Sequence, residues 1–314
     1  MTQIANDRPT VQANPAVGGG VLLAVASATA FGLSGSLATG LLTTGWSPGA
    51  IVIARMGIAA IALAPFTLAA LRGRWHLLRR QAGTVLLYGV LAVAGAQFCY
   101  FSAVAKMDVG PALLIEYTAP AAVVAWLWLR RGQRPSRLTV TGAAIAAAGL
   151  VLVLDLTSGA HLAWSGVAWA LAAMVGATAY FLISADTDSG LPPLALAGVG
   201  LAVGAFTLGL LAVTGLLPMH AATAPIAFAP ATVSWWVPLL LLGLVTASFA
   251  YATGIAASRR LGSRVASFVA LLEVVAAVVF AWLLVDQLPG PLQLLGGLLV
   301  IGGVVAVKLG DRAI

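Results

Sequence analysis

The chain is poor in the residues that most enzymes and soluble domains depend on. It has one cysteine, Cys99, in 314 residues, which excludes an internal disulfide and any cysteine-based metal cluster. Charged residues make up 8%, against roughly a quarter in a soluble domain. No Gly-x4-Gly-Lys-Ser/Thr loop occurs, so the chain has no phosphate cradle with which to spend ATP. His76, His161 and His220 fall in separate loops or span ends, against a metal site, and there is no Gly-x-Ser-x-Gly elbow. No cofactor is implied. An integral-membrane enzyme acting on lipids would need acidic or histidine residues clustered at one membrane face, and the sequence offers none. The first 17 residues are polar and lack a basic stretch leading into a short apolar run, so no removable signal is expected and the first span serves for insertion.

Apolar residues are abundant, at 61%, and they recur in uncharged runs of about 20, long enough to cross a ~30 Å hydrocarbon core as helices. The fold class is therefore an all-α membrane protein. Ten spans are placed at 18–42, 48–71, 82–105, 109–130, 136–154, 163–185, 192–217, 235–257, 263–284 and 291–309. The longest connections are Pro218–Ser234, rich in proline and alanine, and Leu71–Gln81, which is basic; neither can fold alone. With both termini in the cytoplasm, fourteen of the 16 basic residues lie inside: Arg8, four between Arg72 and Arg80, four between Arg130 and Arg137, Arg259, Arg260, Arg264, Lys308 and Arg312. Only Arg55, within a span, and Lys106, in an outer loop, stand apart, as the positive-inside rule asks. The net charge of +7 thus sets orientation and does not point to nucleic acid.

The text is also written twice. Trp128, Gly132-Gln133, Pro135, Gly142 and Gly149 return 154 residues later as Trp282, Asp286-Gln287, Pro289, Gly296 and Gly303. Ala28-Thr29-Ala30-Phe31 returns 149 residues later as Ala177-Thr178-Ala179-Tyr180. Five spans per half is an odd number, so the second copy enters the membrane upside down, and the charges reverse accordingly. The loop from Arg130 to Arg137 is basic while its twin, Val285 to Pro289, has no basic residue. Two inverted five-helix repeats, 18–154 and 163–309, are expected, with an N-terminal segment 1–17, an outer linker 155–162 and a cytoplasmic tail 310–314.

On these residues the chain resembles the EamA-type carriers of the drug/metabolite transporter (DMT) superfamily. The matches are Ala30-Phe31-Gly32-x-Ser34, Arg55 in the second span, Pro120-x7-Trp128 with Gly132-Gln133, Gly142 and Gly149, and in the second half Glu273-Val274, Trp282, Asp286-Gln287, Gly296 and Gly303. Val274 stands where the family has proline, and Gln133 and Gln287 where it has loop glutamates. General similarity is greatest to the YddG-type exporters of aromatic amino acids. The resemblance covers nearly the whole chain and implies ten helices, two inverted repeats and export from the cytoplasm.

Several side chains are candidates for chemistry. Glu273 sits about 15 Å into the ninth span, where a carboxylate costs roughly 2.5–3.5 kcal/mol, and reads as a proton carrier, as an anchor for a substrate ammonium, or as a protonated acid bonded to a neighbouring helix. Arg55 and Glu116 lie at equal depth, about 10 Å, with opposite sign, which suggests an ion pair, structural or substrate-binding. Trp169, Ala173, Gly176 and Tyr180 share one face of the sixth span, a slot for a planar side chain or plain helix packing. Phe31, Ser34, Tyr88, Gln97, Tyr100, Tyr117, Phe249 and Tyr251 complete the substrate-binding candidates; Pro120 is a candidate hinge. Trp46, Trp164, Trp235 and Trp236 read as anchors at the outer interface.

The expectation is a multi-pass secondary transporter of the bacterial inner membrane. It exports amino acids, aromatic or otherwise apolar, by alternating access through a site between the repeats, with the bilayer and a small-molecule substrate as partners and protons as a possible coupling ion. Export of drugs, nucleosides or other metabolites is the alternative; a lipid-modifying enzyme or a channel fits less well.

Overall fold

A computed structural model describes residues 15–107, 109–154 and 163–311, nearly all of them helical. Arg8, the linker 155–162 with His161, and Arg312 lie outside the described residues. The first half comprises α1 (Pro15–Thr43), α2 (Pro48–Leu71), α3 (Trp75–Arg80), α4 (Ala82–Leu87), a π-helical stretch Tyr88–Gly95, α5 (Ala96–Val104), α6 (Val109–Glu116), α7 (Ala119–Arg131) and α8 (Arg137–Val153). The second comprises α9 (Trp164–Ser184), α10 (Pro193–Val213), a hairpin of β1 (Ile226–Ala227) and β2 (Thr232–Val233), α11 (Trp236–Gly243), a π-helical stretch Leu244–Phe249, α12 (Ala250–Ala270), α13 (Leu272–Val285) and α14 (Pro291–Asp311). Among the described residues, eight helical stretches are long and apolar enough to cross a bilayer, and α8 and α13 are shorter apolar helices.

Local chemistry sets the boundaries. Ser47 accepts from Ala50 N ahead of Pro48, and Ser136 accepts from Thr139 N, so each caps the helix it precedes. Gly262 (φ 77°, ψ 162°) kinks α12 in a conformation that suits only a residue without Cβ, and divides it into the two segments that the sequence places as different spans. α7 and α13 end alike. Gln133 N donates to Leu127 O and Gln287 N to Ala281 O, both at 3.2 Å, with Gly132 (φ 67°) and Asp286 (φ 58°) in the left-handed position between. These pairs are 154 residues apart, so the duplication extends to the caps. Both π-helical stretches fall in the third helix of their half as well.

Packing follows the same symmetry. α8 lies along α14, α2 along α10, α1 against α12 and α13, and α9 against α5 and the first π-helical stretch. A Cβ on Gly142 would meet Gly303 O at 2.7 Å and one on Gly303 would meet Gly142 O at 2.5 Å; for Gly149 and Gly296 the figures are 2.6 and 2.7 Å. Numbers rise along α8 as they fall along α14, so the two helices are antiparallel. Each glycine seats on the twin of the other, the signature of an isologous contact.

Two connections carry structure, and one expectation, for Trp46, is corrected. Pro218–Ser234 holds the hairpin, which covers one end of α1, where Gly40 packs on Ile226 and Phe228, and Ala229 N donates to Leu284 O at 2.8 Å. The basic stretch Leu71–Gln81 holds the helix α3. Trp46 is buried, stacked 5.9 Å from Trp235 with its indole N–H on Ala222 O, whereas Trp164 and Trp236 remain exposed as interfacial residues would be.

Candidate functional site

Both halves contain a helix broken near its middle. In the first, α6 ends at Glu116 and α7 begins at Ala119, with Pro120 at its first turn, where the missing N–H costs nothing. In the second, α12 gives way to α13 at Leu271, which is the counterpart of Tyr117 under the 154-residue shift. Each break is closed by a tight turn: Thr118 N donates to Ile115 O and Leu271 N to Phe268 O, both at 3.1 Å. Glu273 enters in the first turn of α13, where the helix dipole favours a carboxylate.

Around these breaks the aromatic candidates gather. Phe31 of α1 meets Tyr251 of α12 edge-on at 5.2 Å, Tyr251 meets Tyr180 of α9 at 5.6 Å, and Tyr180 meets Tyr88 at 6.0 Å. The duplicated residues Phe31 and Tyr180 thus approach one another through Tyr251. The Arg55 guanidinium lies 5.9 Å over the Phe31 ring, a cation–π contact. The Tyr117 hydroxyl lies beside the Glu273 carboxylate. Arg55, Glu116, Tyr100, Tyr180 and Tyr251 all lie within electrostatic reach of Glu273. Glu116, Glu273, Tyr100, Tyr117 and Tyr180 are half-buried. A cavity of about 230 Å³ ends on Tyr117, with Val274, Gln287 and Gln293 among its lining. A second, of about 300 Å³, opens at the end bearing Arg131, Arg264, Asp186 and Asp311.

Two expected arrangements are not formed. Arg55 does not pair with Glu116: its Nη2 donates to Thr246 O at 2.7 Å, and the ion pair found among the described residues is Arg264 with Asp311, at 2.9 Å. The second π-helical stretch contains Thr246, which explains the preference, since such a stretch shifts carbonyls out of the ordinary helical register. The slot between Trp169 and Tyr180 is filled. Gly176 packs against Ala96 and Leu91 O, and Trp169 stands edge-on to Phe98 at 5.6 Å. Ser34 and Gln97 are half-buried on α1 and α5, and Phe249 is exposed. Sequence reasoning does not single out Ser184, Ser258 or Arg259. A signal is present, since Tyr180–Ser184 and Gly254–Ser258 are each one helical turn apart, but in the sequence Arg259 reads as an orientation charge alone.

These features define a polytopic helical membrane protein made of two copies of one unit, with a polar, aromatic-walled centre where their broken helices meet. The description "EamA-like transporter family" matches residues 18–155 and again 164–309, and the chain belongs to that family. A relative from Streptantibioticus cattleyicolor, described as a probable terminal-alkyne amino-acid exporter, is 28% identical over 273 residues, covering 84% of this chain and 85% of that protein. A crystal structure 22% identical in sequence shares the fold, with a TM-score of 0.74 over 94% of this chain and 99% of the other.

Proposed function

We propose that the protein is a secondary transporter of the bacterial cytoplasmic membrane that exports amino acids with aromatic or other apolar side chains by alternating access. In this reading Gly262 divides the eighth crossing from the ninth, so ten helices cross the bilayer as two inverted five-helix units, 18–154 and 163–309, with both termini on the basic, cytoplasmic side. The reciprocal seats of Gly142 on Gly303 and Gly149 on Gly296 support the inversion, because only antiparallel twins can exchange places in this way. The observation that carries the function is the meeting of Arg55, Glu273 and an aromatic wall of Phe31, Tyr251 and Tyr180 beside two broken helices. Arg55 Nε has no partner and offers a donor to a substrate carboxylate; Glu273 and Tyr117 face the ammonium; the rings enclose the side chain. The printed name of the Streptantibioticus relative supports an amino acid as cargo.

The test is uptake of labelled phenylalanine and threonine into liposomes holding the purified protein. Movement of phenylalanine ahead of threonine is expected, and movement of neither rejects the reading.

A further inference from the structure

Buried hydrogen-bonding groups without partners cost about 1–3 kcal/mol each, so a native interior holds few of them and seldom together. Here six of the eight such side-chain atoms among the described residues gather in one lane. The Tyr88 and Tyr180 hydroxyls, Ser184 Oγ, Ser258 Oγ, and Nε and Nη2 of Arg259 are all enclosed and have no hydrogen-bond partner. Tyr88 and Ser184 are wholly buried and Ser258 nearly so, at 0%, 0% and 1% exposure.

The groups are connected in space. Tyr180 and Ser184 are one turn apart on α9, and Ser258 is one turn past Gly254, whose Cα faces the Tyr180 hydroxyl. Tyr88 lies beside Ser184 without completing a bond, and Arg259 is within electrostatic reach of Tyr88 and of Asp186. The lane therefore runs from the aromatic centre along α9 and α12 to the end where Asp186 borders the 300 Å³ cavity. Arg259 is held there by its Nη1, which donates to Leu191 O. That bond leaves free the Nε–Nη2 edge, the side of a guanidinium that binds a carboxylate through two parallel hydrogen bonds.

The geometry points to a second substrate station: Arg259, with the hydroxyls of Tyr88, Ser184 and Ser258, binds the carboxylate of the cargo on the basic-loop side before it reaches Arg55. It rests on the transporter reading and adds an entry site to it. Arg55 and Arg259 are each tethered to a backbone carbonyl through one Nη with Nε unpartnered, but the tether of Arg55 takes Nη2 and that of Arg259 takes Nη1, so only Arg259 keeps its whole Nε–Nη2 edge free. In the present conformation helix packing has closed the lane, and its donors face one another in place of the ligand.

The experiment is phenylalanine counterflow in liposomes, with half-saturation measured separately at each face. Arg259→Gln is expected to raise it about tenfold at the basic-loop face, the loss of one charge-assisted bidentate contact, and to leave the opposite face within about twofold. Competition by phenethylamine, which has no carboxylate, is expected to be unaltered by the substitution. A shift at both faces alike, or at neither, overturns the station. If Arg259→Gln does not fold, Ser184→Ala with Ser258→Ala is expected to raise half-saturation about threefold at the same face, and no change there overturns it too. Should the native protein move no amino acid, the parent reading has failed, and calorimetric binding of phenylpropionate to the native protein and to Arg259→Gln decides the station by itself: equal affinity rejects it.

Discussion

The α8–α14 seam and the two broken helices were both duplicated, and they have fared differently since. At the seam the backbone contacts are interchangeable: Gly142 and Gly149 meet Gly303 and Gly296 through nearly equal distances, with Val300 standing where the first copy has Ala146. At the breaks both copies keep a tight turn, at Thr118 and at Leu271, one residue out of register, but the chemistry differs. The first copy has Ala119-Pro120 where the second has Glu273-Val274. Packing constrains both members of a symmetric contact equally, whereas a substrate lacks twofold symmetry and requires unlike partners. In the proposed reading, the contrast separates residues that hold the halves together from residues that handle cargo.

The largest expected effect is at the seam. Gly142→Val and Gly303→Val place atoms against backbone that has no flexible side chain to yield, and each is expected to cost about 3 kcal/mol or more, leaving little folded protein in detergent. Gly302→Val, one residue away in open space, is the control and is expected to fold. Thermal unfolding of the three checks this, and equal damage at 302 and 303 breaks the argument from symmetry.

Next come the two ends of the molecule. Gln133 and Gln287 occupy twin positions beside the two cavities, but only Gln133 meets an arginine: Arg264 donates to its carbonyl at 3.3 Å and to Asp311 at 2.9 Å. Arg264 is buried while Asp311 is about one-third exposed, at 31%, and can be rehydrated. Asp311→Asn is therefore expected to destabilise by about 2 kcal/mol, since it strands a buried cation, and Arg264→Gln by about 1 kcal/mol, since Asp311 rehydrates. A double-mutant cycle on unfolding separates the pair from the contact with Gln133; no coupling between the two sites would count against a shared network.

At the breaks, Glu273→Gln is expected to lower amino-acid transport about tenfold, or ~1.4 kcal/mol in the barrier, and to flatten its pH dependence. Counterflow across a range of pH reads both effects. A reduced rate with the native pH profile would leave Glu273 as an ammonium anchor and remove proton carriage from its role; an unchanged rate would remove both.

Much of this is legible in the residues. Hydropathy places the helices, the 154-residue echo locates the seam glycines and both caps, and depth singles out Glu273 and Arg55. What sequence does not supply is which side chains meet. Equal depth suggests that Arg55 pairs with Glu116, but depth leaves rotation about the helix axis open, and a π-helical stretch presents Thr246 O instead. Helical spacing puts Trp169 and Tyr180 on one face without showing that Ala96 fills the gap between them. Arg259 is hidden because a basic residue near a helix end satisfies the orientation rule whether or not its guanidinium turns inward.

The smallest effect tests the duplication where the copies differ by one side chain. Gly132 and Asp286 occupy the same left-handed cap, at φ 67° and φ 58°, and the flanking hydrogen bonds are the same length. A Cβ in that conformation is strained, though aspartate tolerates it better than most residues. Asp286→Gly is therefore expected to stabilise the protein by about 0.5 kcal/mol, relief of strain outweighing the added entropy of the unfolded chain, and Gly132→Asp to destabilise it by a similar amount. Unfolding of the two variants under one condition provides the comparison. Shifts of opposite sign and similar size mean that the caps are energetically as well as geometrically equivalent, and that aspartate persists at 286 for a reason other than stability. Shifts of the same sign mean that the cap geometry alone does not set the cost, and that side-chain contacts made by one copy have diverged along with its chemistry.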